Sequence, residues 1–133
     1  MQVREGMSEV VLTVGPSHTL REAAEKMLEK GTGAALVADD ETPVPCIVTE
    51  RDILLSVGRG EDPDAELVSD HMSEGVISAA PDWSLERAAS EMSKRGIRHL
   101  VVFEDGDLAG VLSIRDIVKA WTSDGATSGM SPD

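Results

Sequence analysis

Two short stretches of the chain repeat one another, and they decide the fold. Residues 47–53 read Ile-Val-Thr-Glu-Arg-Asp-Ile, and residues 111–117 read Val-Leu-Ser-Ile-Arg-Asp-Ile. In each stretch apolar residues lead to a hydroxyl residue, and an aspartate follows it three positions later. This spacing is typical of a helix N-cap, because each of the two side chains can satisfy a free backbone amide of the other residue. Each stretch therefore predicts a buried strand that passes directly into a helix.

The similarity extends outward from these stretches over most of the chain. A shift of 65 residues brings the Met-Ser-Glu sequence at residues 7–9 onto residues 72–74, and Gly31 onto Gly96. A shift of 64 residues aligns the two stretches themselves, since the second copy is one residue shorter after its glycine. So many matches in the same order indicate an internal duplication.

The duplication divides the chain into four parts. The first copy covers residues 1–57, and the second copy covers residues 68–121. Residues 58–67 are polar and contain glycine and proline, so we predict a linker there. Residues 122–133 are small and polar without periodicity, which favours a disordered tail.

Each copy predicts the element order strand, helix, strand, strand, helix. In the first copy, Thr19 and Glu22 have the spacing of a capping box, and Gly31 follows as a helix stop. The second copy has the same pattern between Ser84 and Gly96. Apolar runs on both sides of a polar turn predict the next two strands as a hairpin. Because one copy is too small to bury its sheet and helices alone, we predict an α+β fold in which the two copies pack with pseudo-twofold symmetry.

Composition excludes several classes of protein. The chain has 133 residues, with 12 Lys+Arg against 25 Asp+Glu and a formal net charge of −13. Binding to nucleic acid or to an anionic membrane surface needs net positive charge, so we expect neither partner. No segment approaches the ~18 apolar residues of a membrane-spanning helix, and residues 1–9 lack the apolar region of a signal peptide. We therefore expect a cytoplasmic protein.

No pattern of residues indicates catalysis or a metal centre. His18, His71 and His99 are scattered, with no partner at a metal-ligand spacing. The lone cysteine, Cys46, lies among apolar residues, which favours a role as a small buried hydrophobic side chain. No serine, cysteine or lysine stands in a recognisable motif with a base. We predict no enzymatic activity, no metal site and no required cofactor.

The duplicated copies resemble the pair of cystathionine-β-synthase (CBS) domains called a Bateman module. The resemblance covers residues 7–121 and rests on the tandem repeat and on the duplicated strand-to-helix stretch. It also rests on residues 96–102, Gly-Ile-Arg-His-Leu-Val-Val, which look like the family's entry into its second strand. The resemblance implies that AMP, ADP or ATP binds in clefts between the copies and that the module regulates a partner protein, whose identity the sequence does not give. It also implies a homodimer.

Roles for individual residues follow from the resemblance. The family's ribose-binding aspartate corresponds to Asp52 and Asp116, whose carboxylates can accept both ribose hydroxyl groups. Thr49 and Ser113 would supply hydroxyl groups near the ribose or the phosphate. The alternative is that these aspartates only cap helices. In that case the chain is a ligand-free dimerisation or scaffold module. A separate alternative is that another adenosyl ligand, such as S-adenosylmethionine, takes the place of the nucleotide.

Phosphate binding is expected to distinguish the two clefts. Arg98 and His99 stand where basic residues face the phosphates in the family, whereas their counterparts Gly33 and Ala34 carry no charge. The alternative for this pair is a surface salt bridge in a very acidic protein. The resemblance predicts a stronger nucleotide cleft of Thr13, Thr49, Arg51, Asp52, Arg98 and His99, and a weaker one of Ser78, Ser113, Arg115 and Asp116.

One position departs from the family pattern. A glycine often starts the third-strand stretch in the family, and Gly110 fits this pattern in the second copy. The first copy has Cys46, preceded by Pro45, at the corresponding place. If the backbone has to approach the ligand here, ligand binding in the first cleft is slightly compromised.

Overall fold

The computed structural model of the chain describes residues 1–39, 45–73 and 76–123. Within these ranges the chain folds into five α-helices and two three-stranded sheets. The helices are α1 (Val3–Gly6), α2 (Leu20–Lys30), α3 (Glu50–Gly58), α4 (Leu85–Arg95) and α5 (Ile114–Ser123). The strands are β1 (Thr13–Val14), β2 (Ala34–Val37), β3 (Cys46–Thr49), β4 (Ser78–Ala79), β5 (His99–Glu104) and β6 (Asp107–Ser113). The predicted α+β class and the element order within each copy are confirmed.

The chain divides into two compact units. The N-terminal unit comprises the described residues between 11 and 76, and the C-terminal unit comprises residues 1–10 together with the described residues from 77 onward. Each unit has one sheet whose first two strands are parallel and whose last two are antiparallel. Ala34 pairs with Thr49 in one sheet, and His99 pairs with Ser113 in the other. Residues that correspond in the sequence repeat thus occupy the same strand and the same register position in the two sheets.

The boundaries of the compact units differ from those of the sequence repeat. The first residues of each copy pack in the unit that the other copy mainly forms. Val3 is fully buried in the core of the C-terminal unit, where its backbone amide donates to Trp83 O at 2.8 Å. Its counterpart Val68 is fully buried in the core of the N-terminal unit, where its amide donates to His18 O at 2.8 Å. Each copy therefore contributes a core residue to the unit that is formed mainly by the other copy.

The same exchange extends to the sheets. Ser8 forms an antiparallel bridge with Val111 of β6, with its amide 2.9 Å from the carbonyl oxygen of Val111. Ser73, the counterpart of Ser8, forms the equivalent bridge with Ile47 of β3 at 2.8 Å. Both hydrogen-bonding edges of the third strand are thereby used where these bridges form, which restrains the strand that leads to each aspartate.

The predicted helix caps are confirmed. Thr19 Oγ1 accepts from the amide of Glu22 at 3.1 Å, while a carboxylate oxygen of Glu22 accepts from the amide of Thr19 at 3.1 Å. These bonds lower the pKa of Glu22 below its usual range, the backbone bond to Thr19 being the main cause. Gly31 and Gly96 end α2 and α4 in the left-handed conformation, with φ of 67° and 64°. A glycine accepts this conformation without steric cost.

The predicted hairpin of the second copy is also present. Asp105 and Gly106 have φ of 52° and 85° and connect β5 to β6. Two consecutive residues with positive φ are the mark of a type I′ turn, which matches the twist of the paired strands. In the first copy the polar turn that the sequence predicts between the two strands falls at residues 39–43, and of these residues 40–43 lie outside the described ranges.

Residues 58–67, predicted as a linker, fold against α2. The amide of Leu20 donates to Glu66 O at 2.9 Å, and the amide of Arg21 donates to Pro63 O at 3.0 Å. The Arg21 side chain forms an ion pair with Asp64. At the other end of the chain, α5 continues to Ser123, and residues 124–133 of the predicted tail lie outside the described ranges. Among the described residues, no helix has the length and apolarity that crossing a membrane requires.

Candidate functional site: two strand-to-helix junctions

The first candidate site lies where β3 passes into α3. Thr49 is the N-cap of α3, and its amide donates to Asp52 Oδ2 at 2.8 Å. The Thr49 hydroxyl lies 3.1 Å from the same carboxylate oxygen, and the amide of Asp52 points back to Thr49 Oγ1 at 3.4 Å. The sequence therefore predicts the local geometry correctly: this is a capping box.

The second junction repeats this arrangement where β6 passes into α5. The amide of Ser113 donates to Asp116 Oδ2 at 2.9 Å, and the amide of Asp116 donates to Ser113 Oγ at 3.0 Å. Both aspartates are half-buried. Because the capping bonds use Oδ2 of each carboxylate, capping alone leaves Oδ1 available to accept from a further donor. Helix capping and ribose binding are thus compatible at one residue.

The two junctions differ in the residue at the start of the neighbouring strand. The amide of Glu50 donates to Gly33 O at 2.9 Å, and the amide of Ile114 donates to Arg98 O at 2.9 Å, so these pairs are equivalent. A Cβ atom at Gly33 would lie 2.9 Å from the carboxylate carbon of Glu50. The Glu50 carboxylate therefore lies so close to Gly33 that a side chain at position 33 would collide with it.

The charges at the two junctions differ as a result. The N-terminal junction carries the carboxylates of Glu50 and Asp52 and the exposed guanidinium of Arg51. The C-terminal junction carries the exposed guanidinium groups of Arg98 and Arg115 and the carboxylate of Asp116. The absence of a cation at Gly33 was predicted from the sequence, but the acid at Glu50 was not. A comparison of the two copies could have found it, because Glu50 corresponds to the uncharged Ile114 and is thus an acid that only the first copy has.

The remaining predicted residues are distributed over both units. Thr13 is exposed on β1, in register with Leu36, and Ser78 is exposed on β4, in register with Val101. Within the N-terminal unit lie Thr13, Thr49, Arg51 and Asp52. Within the C-terminal unit lie Ser78, Arg98, His99, Ser113, Arg115 and Asp116. The predicted weaker set thus belongs to one unit, whereas the predicted stronger set combines residues of both units and stays a prediction.

The packing of the C-terminal unit itself explains why a glycine, Gly110, stands at the start of the third-strand stretch. A Cβ atom at Gly110 would collide with the carbonyl oxygen of Ser8, which packs against β6 in the C-terminal unit. The close approach of two backbone segments thus accounts for this glycine without a ligand. Cys46, its counterpart, is 6% exposed in the core of the N-terminal unit.

The duplicated sheets and junctions belong to a known family. The profile of the CBS domain matches residues 2–59 and 68–123, and the chain is a member of this family. CBS pairs are ligand-binding regulatory modules. The predicted resemblance is confirmed.

Individual relatives cover nearly all of the chain. The CBS domain-containing protein YhcV of Bacillus subtilis is 31% identical over 131 residues, which are 97% of this chain and 92% of YhcV. Protein MJ1225 of Methanocaldococcus jannaschii is 34% identical over 128 residues, but the chain spans only 45% of its length. The CBS domain protein PAE2072 of Pyrobaculum aerophilum, solved complexed with AMP, is 28% identical with a TM-score of 0.77 over 92% of this chain and 99% of that one.

Proposed function

We propose that the chain is a regulatory module that senses an adenine nucleotide, AMP or ATP, and transmits its binding to a partner protein. The observation that carries this proposal is the duplicated junction, in which a half-buried aspartate follows a hydroxyl residue at the start of a helix. The AMP complex of the similar protein PAE2072 supports the choice of ligand.

The chemistry of the junction suits a ribose. The two adjacent hydroxyl groups of a ribose are donors, and a carboxylate accepts them as charge-assisted hydrogen bonds. Asp52 and Asp116 can offer Oδ1 while Oδ2 continues to cap the helix. Ligand binding would therefore not require α3 or α5 to give up its N-cap, so we expect the helix starts to be preformed.

The phosphate groups need cations, which this acidic chain supplies at few places. Arg98 is exposed at the start of β5, next to His99. A guanidinium binds phosphate oxygens through two parallel hydrogen bonds, which suits Arg98 to this role. The family resemblance pairs Arg98 and His99 with the ribose that Asp52 holds, and we retain this pairing as part of the proposal.

Calorimetry with AMP, ATP and S-adenosylmethionine tests the proposal. We expect Asp52→Ala to weaken AMP binding at least tenfold, because a hydrogen bond to a charged group contributes about 1.5–3 kcal/mol. Glu22→Ala is the matched control, since it removes the acid of the α2 capping box, which has no proposed ribose role. Asp116→Ala is expected to have a smaller effect on AMP.

Two other results would contradict the proposal. If no adenosyl ligand binds the wild-type chain at millimolar concentration, the nucleotide proposal is wrong and the alternative of a ligand-free scaffold module is favoured. If only S-adenosylmethionine binds, the module senses an adenosyl ligand, but the proposal that this ligand is AMP or ATP is wrong. We also expect no turnover of ATP, and hydrolysis at ordinary enzyme rates would contradict the expectation that the module is not an enzyme.

We further propose that the module is a homodimer. Several apolar side chains of α3 and α5 are exposed, notably Leu54 at 69% and Val118 at 52%. Exposed apolar positions that recur on equivalent helices of a repeat favour association with a second copy of the chain.

A further inference from the structure

The segment that follows α3 brings together three side chains that the nucleotide proposal does not use. Glu61, Glu66 and His71 each offer one potential ligand atom, and these atoms lie within 4.8 Å of one another. His71 Nε2 is 2.8 Å from Glu66 Oε1. The side chains of His71 and Glu66 are only 12% and 29% exposed. All three residues belong to the N-terminal unit and lie away from its junction in the sequence.

A buried oxygen in this cluster lacks a partner. Glu61 Oε1 is buried and accepts no hydrogen bond from the described residues. A buried carboxylate oxygen without a donor is costly, unless a cation or another group satisfies it. Ser56 Oγ is the other buried side-chain oxygen without a partner in the described part of the chain. The two residues are neighbours, since the amide of Glu61 donates to Ser56 O at 3.1 Å.

Backbone hydrogen bonds hold all three residues in place. The amide of Glu61 is bonded to the last turn of α3, as described above, and the amide of Glu66 donates to Asp62 O at 2.9 Å. The amide of His71 donates to Val68 O at 3.0 Å, and Val68 is fully buried. Potential ligands on an ordered backbone form a preorganised site, so little rearrangement is needed when an ion binds.

We propose that Glu61, Glu66 and His71 bind a divalent transition-metal ion, with Zn²⁺ as the preferred ion. An imidazole nitrogen and carboxylate oxygens are among the ligands that zinc takes, and water can occupy the fourth place of a site with three protein ligands. Magnesium and calcium prefer oxygen ligands alone, so the histidine favours zinc. Ligand atoms around tetrahedral zinc are about 3.3 Å apart. The observed separations, from 2.8 Å to within 4.8 Å, allow this geometry after small side-chain movements.

The sequence predicts no zinc site, because no histidine has a partner at a metal-ligand spacing. The structure brings the ligands together by another route. The chain turns after α3 and again in the short 3₁₀ helix at Val68–Asp70, so side chains five residues apart converge. This proposal does not depend on nucleotide binding, and either can fail without the other.

Zinc titration of the untagged, chelator-treated full chain tests the site. Competition with a chromophoric chelator is expected to report one Zn²⁺ per chain. A hundredfold excess of free zinc over the dissociation constant should raise Tm by about 5–10 °C, because the ion binds the folded chain preferentially. Mg²⁺ at the same concentration is expected to leave Tm unchanged.

Matched variants separate a metal site from a structural ion pair. Glu61→Gln and His71→Gln are expected to weaken zinc binding at least tenfold and to abolish the rise in Tm. Glu29→Gln, which removes an exposed carboxylate of α2 in the same unit, should bind zinc like the wild type. Metal-free Glu61→Gln should unfold at the wild-type temperature or above it, since it loses only an unpartnered charge. This measurement shows that the variant folds.

Two outcomes would overturn the proposal. The first is the absence of zinc binding to the wild-type chain up to millimolar concentration. The second is equal zinc affinity in folded Glu61→Gln and in the Glu29→Gln control, which would place the bound ion elsewhere on this acidic chain.

Discussion

The carbonyl oxygen of Ser8 occupies the space into which a side chain at Gly110 would project. Ser8 belongs to the first copy of the repeat and Gly110 to the second, yet both lie in the C-terminal unit. We expect Gly110→Ala to lower the free energy of unfolding by about 1–3 kcal/mol, because the added methyl group forces two backbone segments apart. Urea-induced unfolding measures this change.

Gly58→Ala is the control for this substitution. A Cβ atom at Gly58, the last residue of α3, would meet nothing within 4 Å. We expect its free energy of unfolding to stay the same or to rise by a few tenths of a kcal/mol, since alanine is the better helix former. Equal destabilisation by both substitutions would contradict the packing explanation.

The carboxylate of Glu50 lies beside Gly33 at the junction that contains Asp52, whereas the equivalent position of the other unit holds the uncharged Ile114. We expect Glu50→Gln to strengthen nucleotide binding about two- to fivefold, more for ATP than for AMP, because it removes repulsion of the phosphates. Calorimetry at two salt concentrations measures the effect, which should shrink at high salt. An unchanged ATP affinity in Glu50→Gln, with Glu25→Gln as the control, would indicate that the phosphates lie far from this junction.

The capping box of Thr19 and Glu22 makes stability depend on pH. Hydrogen bonds from Thr19 lower the pKa of Glu22 in the folded chain. The stabilisation is therefore present above the unfolded-state pKa of Glu22 and is lost as the pH falls through its lower folded-state value. Glu22→Gln should lower Tm at pH 7 and make no difference near pH 2. A Tm difference that stays constant over this range would contradict the role of the ionised carboxylate.

The exposed apolar residues of α3 and α5 are expected to form the contact between two copies of the chain. Leu54→Asp and Val118→Asp each place a charge on an exposed apolar position of α3 or α5, and each should halve the mass measured by light scattering. Leu28→Asp is the control, because Leu28 is 82% exposed on α2 and has no proposed contact. A dimer that survives both substitutions would exclude these helices from the interface.

Local sequence patterns predict most of the secondary structure. Thr19 with Glu22, Thr49 with Asp52 and Ser113 with Asp116 all form the caps that their spacing indicates. These predictions succeed because a cap depends on residues only three positions apart. The same locality explains the hairpin turn at Asp105 and Gly106.

Contacts between distant segments could not be predicted in this way. Ser8 and Ser73 follow the same sequence pattern, so the pattern does not reveal which sheet each one joins. The Glu61, Glu66 and His71 cluster depends on the path of an irregular segment, for which no periodicity exists. The short helix α1 likewise has too few residues for a periodic signal.

Val3 of the first copy packs in the C-terminal unit, and Val68 of the second copy packs in the N-terminal unit. This exchange limits where the gene can be divided. A cut near residue 60 follows the repeat but deprives each half of a buried valine and of one bridging segment. Two polypeptides made separately from such a cut should each fold poorly and recover structure when mixed. Each half of the duplication therefore needs the other half in order to fold, and neither half could be transferred alone into another protein.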